Sequence, residues 1–262
     1  MAESIQTLLA LDIGNTNVVL GIYRDEELQI CRRLATSSGR TADEAGILVK
    51  MLCLDGGVNP AEIDAVAIAS VAPKIGMVYG EMAQRYLGCR PFFVHGEIPG
   101  FVNRYRNPMS VGADRVCDAV AGFAKYGGPL LILDFGTAIT IDVIDKTGAY
   151  LGGVIMPGLG TSAEILHQSA ALLPSVRLAM PKVVIGTTTD ESIRVGLMRG
   201  TIGALRMLIA DIKSELNEME IRVIATGGMA YMIIPYLPEV IAEEPYLVLE
   251  GIRLIYERSK TW

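Results

Sequence analysis

A carboxylate followed by a glycine turn lies near the start of the chain, in the segment 12–17. Gly14 permits a tight turn between two strands, which leaves backbone N–H groups able to face an anion. The side chains of Asn15, Thr16 and Asn17 could face the same anion, and the Asp12 carboxylate suits a hydrated Mg²⁺ ion. An ordinary hairpin rich in Asn and Gly has the same pattern, so this segment alone leaves both interpretations open.

The same pattern recurs in the second half of the chain. Aligning LLALDIGNTN with LLILDFGTAI pairs Asp12 with Asp134 and Gly14 with Gly136, and Thr137 supplies a hydroxyl after the second glycine. The offset is close to half the chain length, which predicts two similar domains facing each other across a cleft. Two carboxylates at strand ends would converge there, where phosphates and a cation need opposing ligands.

A third glycine turn follows an apolar run at residues 221–225. Gly227 and Gly228 lie between this predicted strand and a predicted helix, and glycines would let a flat purine approach the backbone closely. Taken alone, this segment could equally be an ordinary helix start.

The hydrophobic pattern predicts the elements that carry these turns. Strand meanders begin near residues 8 and 130, and helices alternate with strands after the first meander, as in α/β folds. A helix from Ala113 ends at Gly127, so we expect domains at 1–127 and 128–262. We also expect strands at 8–13, 18–23, 28–34, 65–70, 91–94, 221–225 and 246–249, and helices at 41–54, 75–87, 161–171, 190–217, 229–236 and 250–258.

Composition and charge exclude several classes of protein. The chain has 23 Lys and Arg against 29 Asp and Glu, a net charge of −6, which opposes a nucleic-acid partner. Mean hydropathy is +0.38, yet no apolar run approaches the ~18 residues of a membrane span, so we expect no membrane partner. The first residues lack the basic segment of a secretory signal, and the four cysteines form no C-x-x-C pair. We therefore expect a cytoplasmic protein with reduced thiols.

Other nucleotide and metal motifs are absent or incomplete. No G-x-x-x-x-G-K-[ST] segment occurs, which excludes a P-loop. Segment 158–163 matches G-x-G-x-x-A but lacks the acidic residue of a dinucleotide site near residue 180, and Thr161 with Glu164 predicts a capping box instead. His95 lies in an H-x-E without the P-C-x-x-C of zinc deaminases, and His167 is predicted to be a structural hydrogen bonder.

The three glycine turns occur in the chain order of the phosphate 1, phosphate 2 and adenosine motifs, and so resemble the acetate and sugar kinase, Hsp70 and actin superfamily. The most specific segment, 105–115, reads Tyr-x-Asn-Pro and then Gly-Ala-Asp-Arg at a helix start. With the two Asp-x-Gly segments, it makes nearly the whole chain resemble the type III pantothenate kinase family. The resemblance implies an α/β fold of two ribonuclease H-like (actin-like ATPase) domains related by internal duplication.

The resemblance also implies ligands and roles. ATP and pantothenate would be the substrates, with Mg²⁺ and a monovalent cation, K⁺ or NH₄⁺, as cofactors. Asp12 would organise Mg²⁺ through the phosphates, Thr16 and Thr137 would bind phosphate oxygens, and Asp134 would hold the monovalent cation. Asp114 would be the catalytic base.

Physical chemistry supports a base at Asp114. A primary hydroxyl is a weak nucleophile, so a carboxylate that orients it and accepts its proton helps phosphoryl transfer. Asp118 lies one helical turn later, and its like charge would raise the pKa of Asp114. The alternative interpretation is an Asp that only stabilises a helix N-terminus.

The remaining substrate residues follow from the same resemblance. Arg115 offers a planar fork for the carboxylate of pantothenate, and Tyr105 could close one wall of the pocket. Gly112, Ala113 and Thr189 would complete the site. The sequence departs from the family pattern just before Thr189, where two threonines stand in place of an expected lysine and asparagine.

Quaternary structure and two other functions are also considered. The apolar region at residues 193–212 predicts a homodimer, and the resemblance implies a substrate pocket completed across its interface. A kinase of another small acceptor on the same core is one alternative. A non-catalytic regulator of transcription is the other, and the three intact carboxylates favour an enzyme.

Overall fold

The computed structural model describes residues 6–169 and 172–260. Their contacts form two compact units, one made of residues up to Ala121 together with those from Tyr246 onward, and one made of Gly122 to Pro245. The predicted division after residue 127 differs from these units, because the last helix packs with the first unit. There, the position of a side chain on Gly251 would collide with the backbone of Cys117.

The first unit is a five-stranded sheet with helices. Its order is β3-β2-β1-β4-β5, with β1 antiparallel to β2 and parallel to β4. The elements are β1 Thr7–Ile13, β2 Asn17–Arg24, β3 Glu27–Ala35, α1 Ala42–Asp55, β4 Ala65–Ser70, α2 Pro73–Leu87, β5 Pro91–Phe93 and α3 Ala113–Tyr126. The C-terminal helix, named α8 below, completes this unit.

The second unit repeats the arrangement. Its sheet has the order β10-β9-β6-β7-β8, with β6 antiparallel to β7 and parallel to β9. The elements are β6 Leu130–Phe135, β7 Ala138–Ile144, β8 Tyr150–Pro157, α4 Leu159–Ser169, α5 Thr189–Arg194, α6 Gly200–Leu216, β9 Arg222–Thr226, α7 Ala230–Ile233 and β10 Val240–Glu243, followed by α8 Leu247–Ser259. The duplicated α/β topology predicted from the sequence repeat is confirmed.

The central strands explain why both sheets form. β1 and β6 are apolar along almost their whole length and are buried on both faces, as is typical of strands covered by helices. Each carries one carboxylate near its C-terminal end, and Asp12 and Asp134 are only half-buried. The hydrophobic cores therefore lie behind these carboxylates, and the chemistry-bearing groups lie at the carboxyl ends of the central strands.

Three predictions about secondary structure are corrected. The strand expected at 246–249 is wrong, because these residues begin α8 and the edge strand β10 lies earlier. The helix expected at 161–171 begins earlier, at Leu159, and Ala171 lies outside the described residues. The capping box expected at Thr161 is wrong for the same reason, since Thr161 is already inside α4.

The region predicted as one long helix or a broken pair at 190–217 is a continuous helical run. α5 passes into a π-helical turn, Val195–Arg199, and then into α6. Among the described residues, no helix is both long enough and apolar enough to cross a membrane.

Candidate active site

The first glycine turn joins β1 to β2. The Gly14 N–H donates to the Asn17 carbonyl at 2.9 Å, and Asn15 and Thr16 are exposed at the tip. Thr36, the first residue after β3, holds the turn from one side. Its N–H donates to the Thr16 carbonyl at 2.9 Å and its hydroxyl to the Gly14 carbonyl at 2.8 Å.

The second glycine turn joins β6 to β7 and is one residue shorter. The Gly136 N–H donates to the Ala138 carbonyl at 3.0 Å, and Gly136 and Thr137 are exposed. The Thr137 carbonyl accepts from the Gly158 N–H at 3.0 Å and from the Thr161 hydroxyl at 2.7 Å. Both turns are thus exposed at the tip and hydrogen-bonded at the base.

The third glycine turn lies against the carboxylate of Asp134, which precedes the second glycine turn. β6 and β9 are parallel and pair Asp134 with Thr226, so Gly227 begins where the Asp134 side chain is held. Gly227 has φ +93°, and a Cβ there would lie 2.3 Å from Asp134 Oδ1 and 2.5 Å from the Phe135 nitrogen. Only glycine fits this position. Gly228 follows it and is exposed.

The predicted base lies in the first turn of α3. Asp114 is half-buried, and its Oδ1 accepts from the Arg115 N–H at 2.8 Å. A Cβ on Gly112 would lie 2.4 Å from the same oxygen, so the glycine leaves room for the carboxylate. Arg115 is 8% exposed.

Burial raises the pKa of Asp114, while the hydrogen bond from the Arg115 N–H and the Arg115 charge oppose that change. A raised pKa of Asp114 was predicted from the like charge of Asp118, whereas the main cause is removal of the Asp114 carboxyl from water. A raised pKa makes the carboxylate a stronger proton acceptor.

The charges of three carboxylates act on one buried thiol of α3. The pKa of the fully buried Cys117 is raised well above its ordinary value, first by burial and then by the charges of Asp118, Asp12 and Asp114. The carboxylate at the end of β1 and the predicted base therefore act on the same small region of the first unit.

In the part of the chain that the structure describes, all four cysteines are free thiols, as predicted.

Tyr105 lies half-buried on the loop between β5 and α3. Asn103 organises this loop: its amide donates to the Gly96 carbonyl at 2.9 Å, and its Oδ1 accepts from the Tyr105 N–H at 3.0 Å. The loop also borders a cavity of about 390 Å³ lined by Glu97, Ile98, Pro99, Phe101, Asn103 and Pro108. Sequence reasoning did not single out Asn103, because its partners lie up to seven residues away in an irregular segment.

Thr189 is exposed at the first position of α5. The two threonines that depart from the family pattern have a local role there. The Thr188 hydroxyl accepts from the Glu191 N–H at 3.2 Å, and the Glu191 carboxylate accepts from the Thr187 N–H at 2.9 Å. These bonds satisfy backbone groups at the start of the helix, and the hydrogen bonds from Thr187 lower the pKa of Glu191.

His167 has the structural role that was predicted. Its Nδ1 lies 2.8 Å from the Leu173 carbonyl oxygen, which ties the end of α4 to the segment after it.

Among the described residues, no group of three or more His, Cys, Asp or Glu side chains is arranged to hold a metal ion.

Comparison with known proteins decides the family. A family model described as type III pantothenate kinase matches residues 8–211 of the chain. The chain belongs to the type III pantothenate kinase family. A type III pantothenate kinase from Thermomicrobium roseum is 44% identical over 252 residues, which are 96% of this chain and 97% of the relative. The predicted family membership is confirmed.

Solved structures share the type III pantothenate kinase fold at low identity. A chain described as a Baf family transcriptional activator from Campylobacter jejuni superposes with a TM-score of 0.61 at 18% identity, covering 97% of this chain and 100% of its own. A ROK hexokinase from Thermus thermophilus gives 0.51 at 15% identity, covering 98% and 100%. These likenesses concern the fold, and they confirm the predicted α/β fold of two related domains.

Proposed function

We propose that this protein transfers the γ-phosphoryl group of ATP to the 4′-hydroxyl of pantothenate, the first step of coenzyme A biosynthesis. Membership of the type III pantothenate kinase family over nearly the whole chain carries this proposal. In the reaction, the hydroxyl oxygen bonds to the γ-phosphorus, the bond from that phosphorus to the β,γ-bridging oxygen breaks, and ADP leaves.

Asp114 is the group best suited to take the hydroxyl proton. Its carboxylate lies at the start of α3, where the hydrogen bond from the Arg115 N–H fixes one oxygen. Its raised pKa favours proton acceptance as the new bond forms. We propose that Arg115 and Tyr105 bind pantothenate beside this base, together with Gly112 and Ala113, and that Arg115 pairs with the pantothenate carboxylate.

ATP is bound at the glycine turns in this proposal. Asp12, Gly14, Asn15, Thr16 and Asn17 form the first phosphate-binding turn, where exposed hydroxyl and N–H groups suit phosphate oxygens. In the second unit, Gly136 and Thr137 bind phosphate, and the turn of the half-buried Gly227 and the exposed Gly228 receives the adenosine.

The residues present fit the divalent ion that a kinase of this family uses. Mg²⁺ in phosphoryl-transfer sites usually keeps several waters and takes one or two carboxylates plus substrate phosphates. Asp12 offers one half-buried carboxylate beside the first turn, and so would hold the ion through the phosphates. When bound, Mg²⁺ neutralises charge on the transferred group.

Asp134 is proposed as the ligand of a monovalent cation, K⁺ or NH₄⁺. The close approach of the Gly227 backbone brings peptide groups beside the carboxylate, and oxygen donors of these two kinds suit such a cation. We expect turnover to fall by about tenfold or more when K⁺ is replaced by Na⁺ or by tetramethylammonium at constant ionic strength, because the cation offsets phosphate charge. Equal initial rates in all three salts would contradict this assignment, and the Mg²⁺ requirement serves as the control.

A homodimer with a shared pantothenate pocket is also proposed. Positions for side chains on Gly196, Gly200 and Gly203 meet no atom within 4 Å, and in the segment before α5 Val184 and Ile185 are 66% and 83% exposed. This open apolar surface supports a second copy of the chain as its partner. Thr189 would then reach the pantothenate bound at Asp114 of the other subunit.

Mixing two inactive variants tests the shared pocket. An Asp114→Asn chain and a Thr189→Arg chain are each expected to be nearly inactive, but after subunit exchange one pocket in each heterodimer has both wild-type elements. About a quarter of wild-type activity should return in a random mixture. If labelled subunits exchange and no activity returns, Thr189 does not act across the interface.

The decisive assay is ATP-dependent phosphorylation of pantothenate by the purified protein, with Mg²⁺ and K⁺ present. Formation of phosphopantothenate and ADP in equal amounts is expected. No turnover with pantothenate but turnover with another small hydroxyl compound would identify a different acceptor. No turnover with any acceptor would favour a non-catalytic regulator.

The dependence on ATP and the four free cysteines support a cytoplasmic location.

A further inference from the structure

In each unit, a threonine hydroxyl from outside the glycine turn donates a hydrogen bond to a backbone carbonyl of that turn. In the first unit it belongs to Thr36, whose Oγ1 donates to the Gly14 carbonyl. In the second unit it belongs to Thr161, whose Oγ1 donates to the Thr137 carbonyl. Neither threonine belongs to an Asp-x-Gly segment, and each reaches its turn from the end of the third strand of its meander.

The two supports have the same construction. The first residue after the third strand donates its N–H to a turn carbonyl, from Thr36 to Thr16 at 2.9 Å and from Gly158 to Thr137 at 3.0 Å. The hydroxyl then comes from Thr36 itself in one unit and from Thr161, three residues further on, in the other. The two copies thus reach one arrangement with different residues, which indicates that the arrangement is required by the turns and is not an accident of one loop.

Peptide geometry links these supports to anion binding. In a trans peptide the C=O and the following N–H point in opposite directions, and among the described residues Gly128-Pro129 is the only cis bond. A Gly14 carbonyl held by Thr36 therefore directs the Asn15 N–H away from Thr36. In the second turn, a Thr137 carbonyl held by Thr161 directs the Ala138 N–H away from Thr161.

We infer that Thr36 and Thr161 are positioning residues for the phosphates of ATP, each acting by fixing the peptide orientation of its glycine turn. The inference rests on the proposed function, because it takes the anion at these turns to be the phosphate chain of a nucleotide. Turns held in the binding orientation lose less conformational freedom when the ligand binds, which favours affinity.

Valine and serine variants separate the hydroxyl from the shape of the side chain. Thr36→Val and Thr161→Val keep the branched shape and lose the donor, while Thr36→Ser and Thr161→Ser keep the donor. We expect each valine variant to weaken binding of a non-hydrolysable ATP analogue by about tenfold, as for the loss of one hydrogen bond, measured by calorimetry without acceptor. The serine variants should bind within about twofold of wild type. In the kinase assay, the KM for ATP should rise and the KM for pantothenate should stay unchanged.

Two threonines with other roles serve as matched controls. The Thr41 hydroxyl caps α1, and the Thr147 hydroxyl donates to Asp145 in the turn between β7 and β8. Thr41→Val and Thr147→Val should lower thermal stability without changing nucleotide affinity. If Thr36→Val and Thr161→Val behave like these controls, the positioning role is overturned.

The design also distinguishes failure of the proposed function. If the valine variants lose affinity for the analogue but the wild type does not phosphorylate pantothenate, the positioning role holds and the acceptor is different. If the wild type does not bind the analogue, both the inference and the proposed function are overturned.

Discussion

Replacing Asp114 with asparagine is expected to lower kcat by about 10²-fold or more while leaving the folded protein at least as stable at pH 7. Asparagine keeps the size of the side chain and an oxygen that can accept from the Arg115 N–H, which lies 2.8 Å from Asp114 Oδ1. It cannot accept a proton from the substrate hydroxyl. The KM for ATP should change little, because the variant alters the pantothenate end of the reaction.

The expected effect on stability follows from the direction of the pKa change. Burial raises the pKa of Asp114 in the folded state above its value in the unfolded chain. The protonated carboxyl therefore favours folding at low pH, and this contribution is lost as the pH rises through the folded-state pKa. The charged form at pH 7 opposes folding, and asparagine removes that charge. Above about pH 4, the ordinary pKa of an aspartate, the unfolding free energy should fall less steeply with pH in Asp114→Asn than in wild type.

Asp64 provides a matched control for this experiment. Its Oδ2 accepts from the Thr7 N–H at 2.8 Å, so it has the same kind of bond as Asp114 but at the opposite end of β1. Asp64→Asn should retain wild-type kcat. If Asp114→Asn lowers the melting temperature by several degrees and the folded fraction keeps normal kcat, Asp114 stabilises a helix end and is not the base.

Gly227→Ala is expected to abolish measurable nucleotide binding and to lower the free energy of unfolding by several kcal/mol. Its Cβ would lie 2.3 Å from Asp134 Oδ1 and 2.7 Å from the Phe135 carbonyl carbon. These neighbours are a strand backbone and a short side chain, so they cannot move away cheaply. Relief of the collision requires displacement of the carboxylate or of the third glycine turn.

A Gly57→Ala variant separates the effect of the collision at Gly227 from the effect of a positive φ. It has φ +77°, close to the +93° of Gly227, but a Cβ there meets nothing within 4 Å. Gly57→Ala should cost about 1 kcal/mol in urea unfolding, the usual price of a left-handed residue without glycine, and should leave ATP affinity unchanged. Similar losses for both variants would mean that strain at positive φ, and not contact with Asp134, explains the effect at Gly227.

Much of the fold could be predicted because its strongest signals are local. The two meanders show apolar strands interrupted by glycine and polar turns, so β1 to β3 were predicted within about one residue of their ends, and the second meander was predicted to begin near residue 130, where β6 begins. The C-terminal helix was harder. The apolar run that begins α8 is short enough to suit a strand, and only the burial of Leu249, Ile252 and Ile255 on one helical face resolves it.

The hydrogen bonds that hold the first two glycine turns could not be predicted from the sequence. The Thr36 hydroxyl and the Gly14 carbonyl are 22 residues apart, and only the register of β2 and β3 brings them together. Thr161 was noticed, but its hydroxyl was assigned to a helix cap, which the earlier start of α4 makes impossible. The raised pKa of Asp114 was predicted from the charge of Asp118, whereas its main cause is burial. Burial could not be predicted, because it depends on packing that no motif specifies.

The discontinuity of the first unit has a consequence for synthesis on the ribosome. The second unit is one uninterrupted stretch, Gly122 to Pro245, and can fold as soon as it has emerged. The first unit cannot, because α8, which buries Leu249 and Ile252 within it, is translated only after the whole second unit. The nascent chain therefore carries an incomplete N-terminal sheet with an uncovered apolar face for more than a hundred residues of elongation. We expect this stage to be the one at which the growing polypeptide depends most on chaperones.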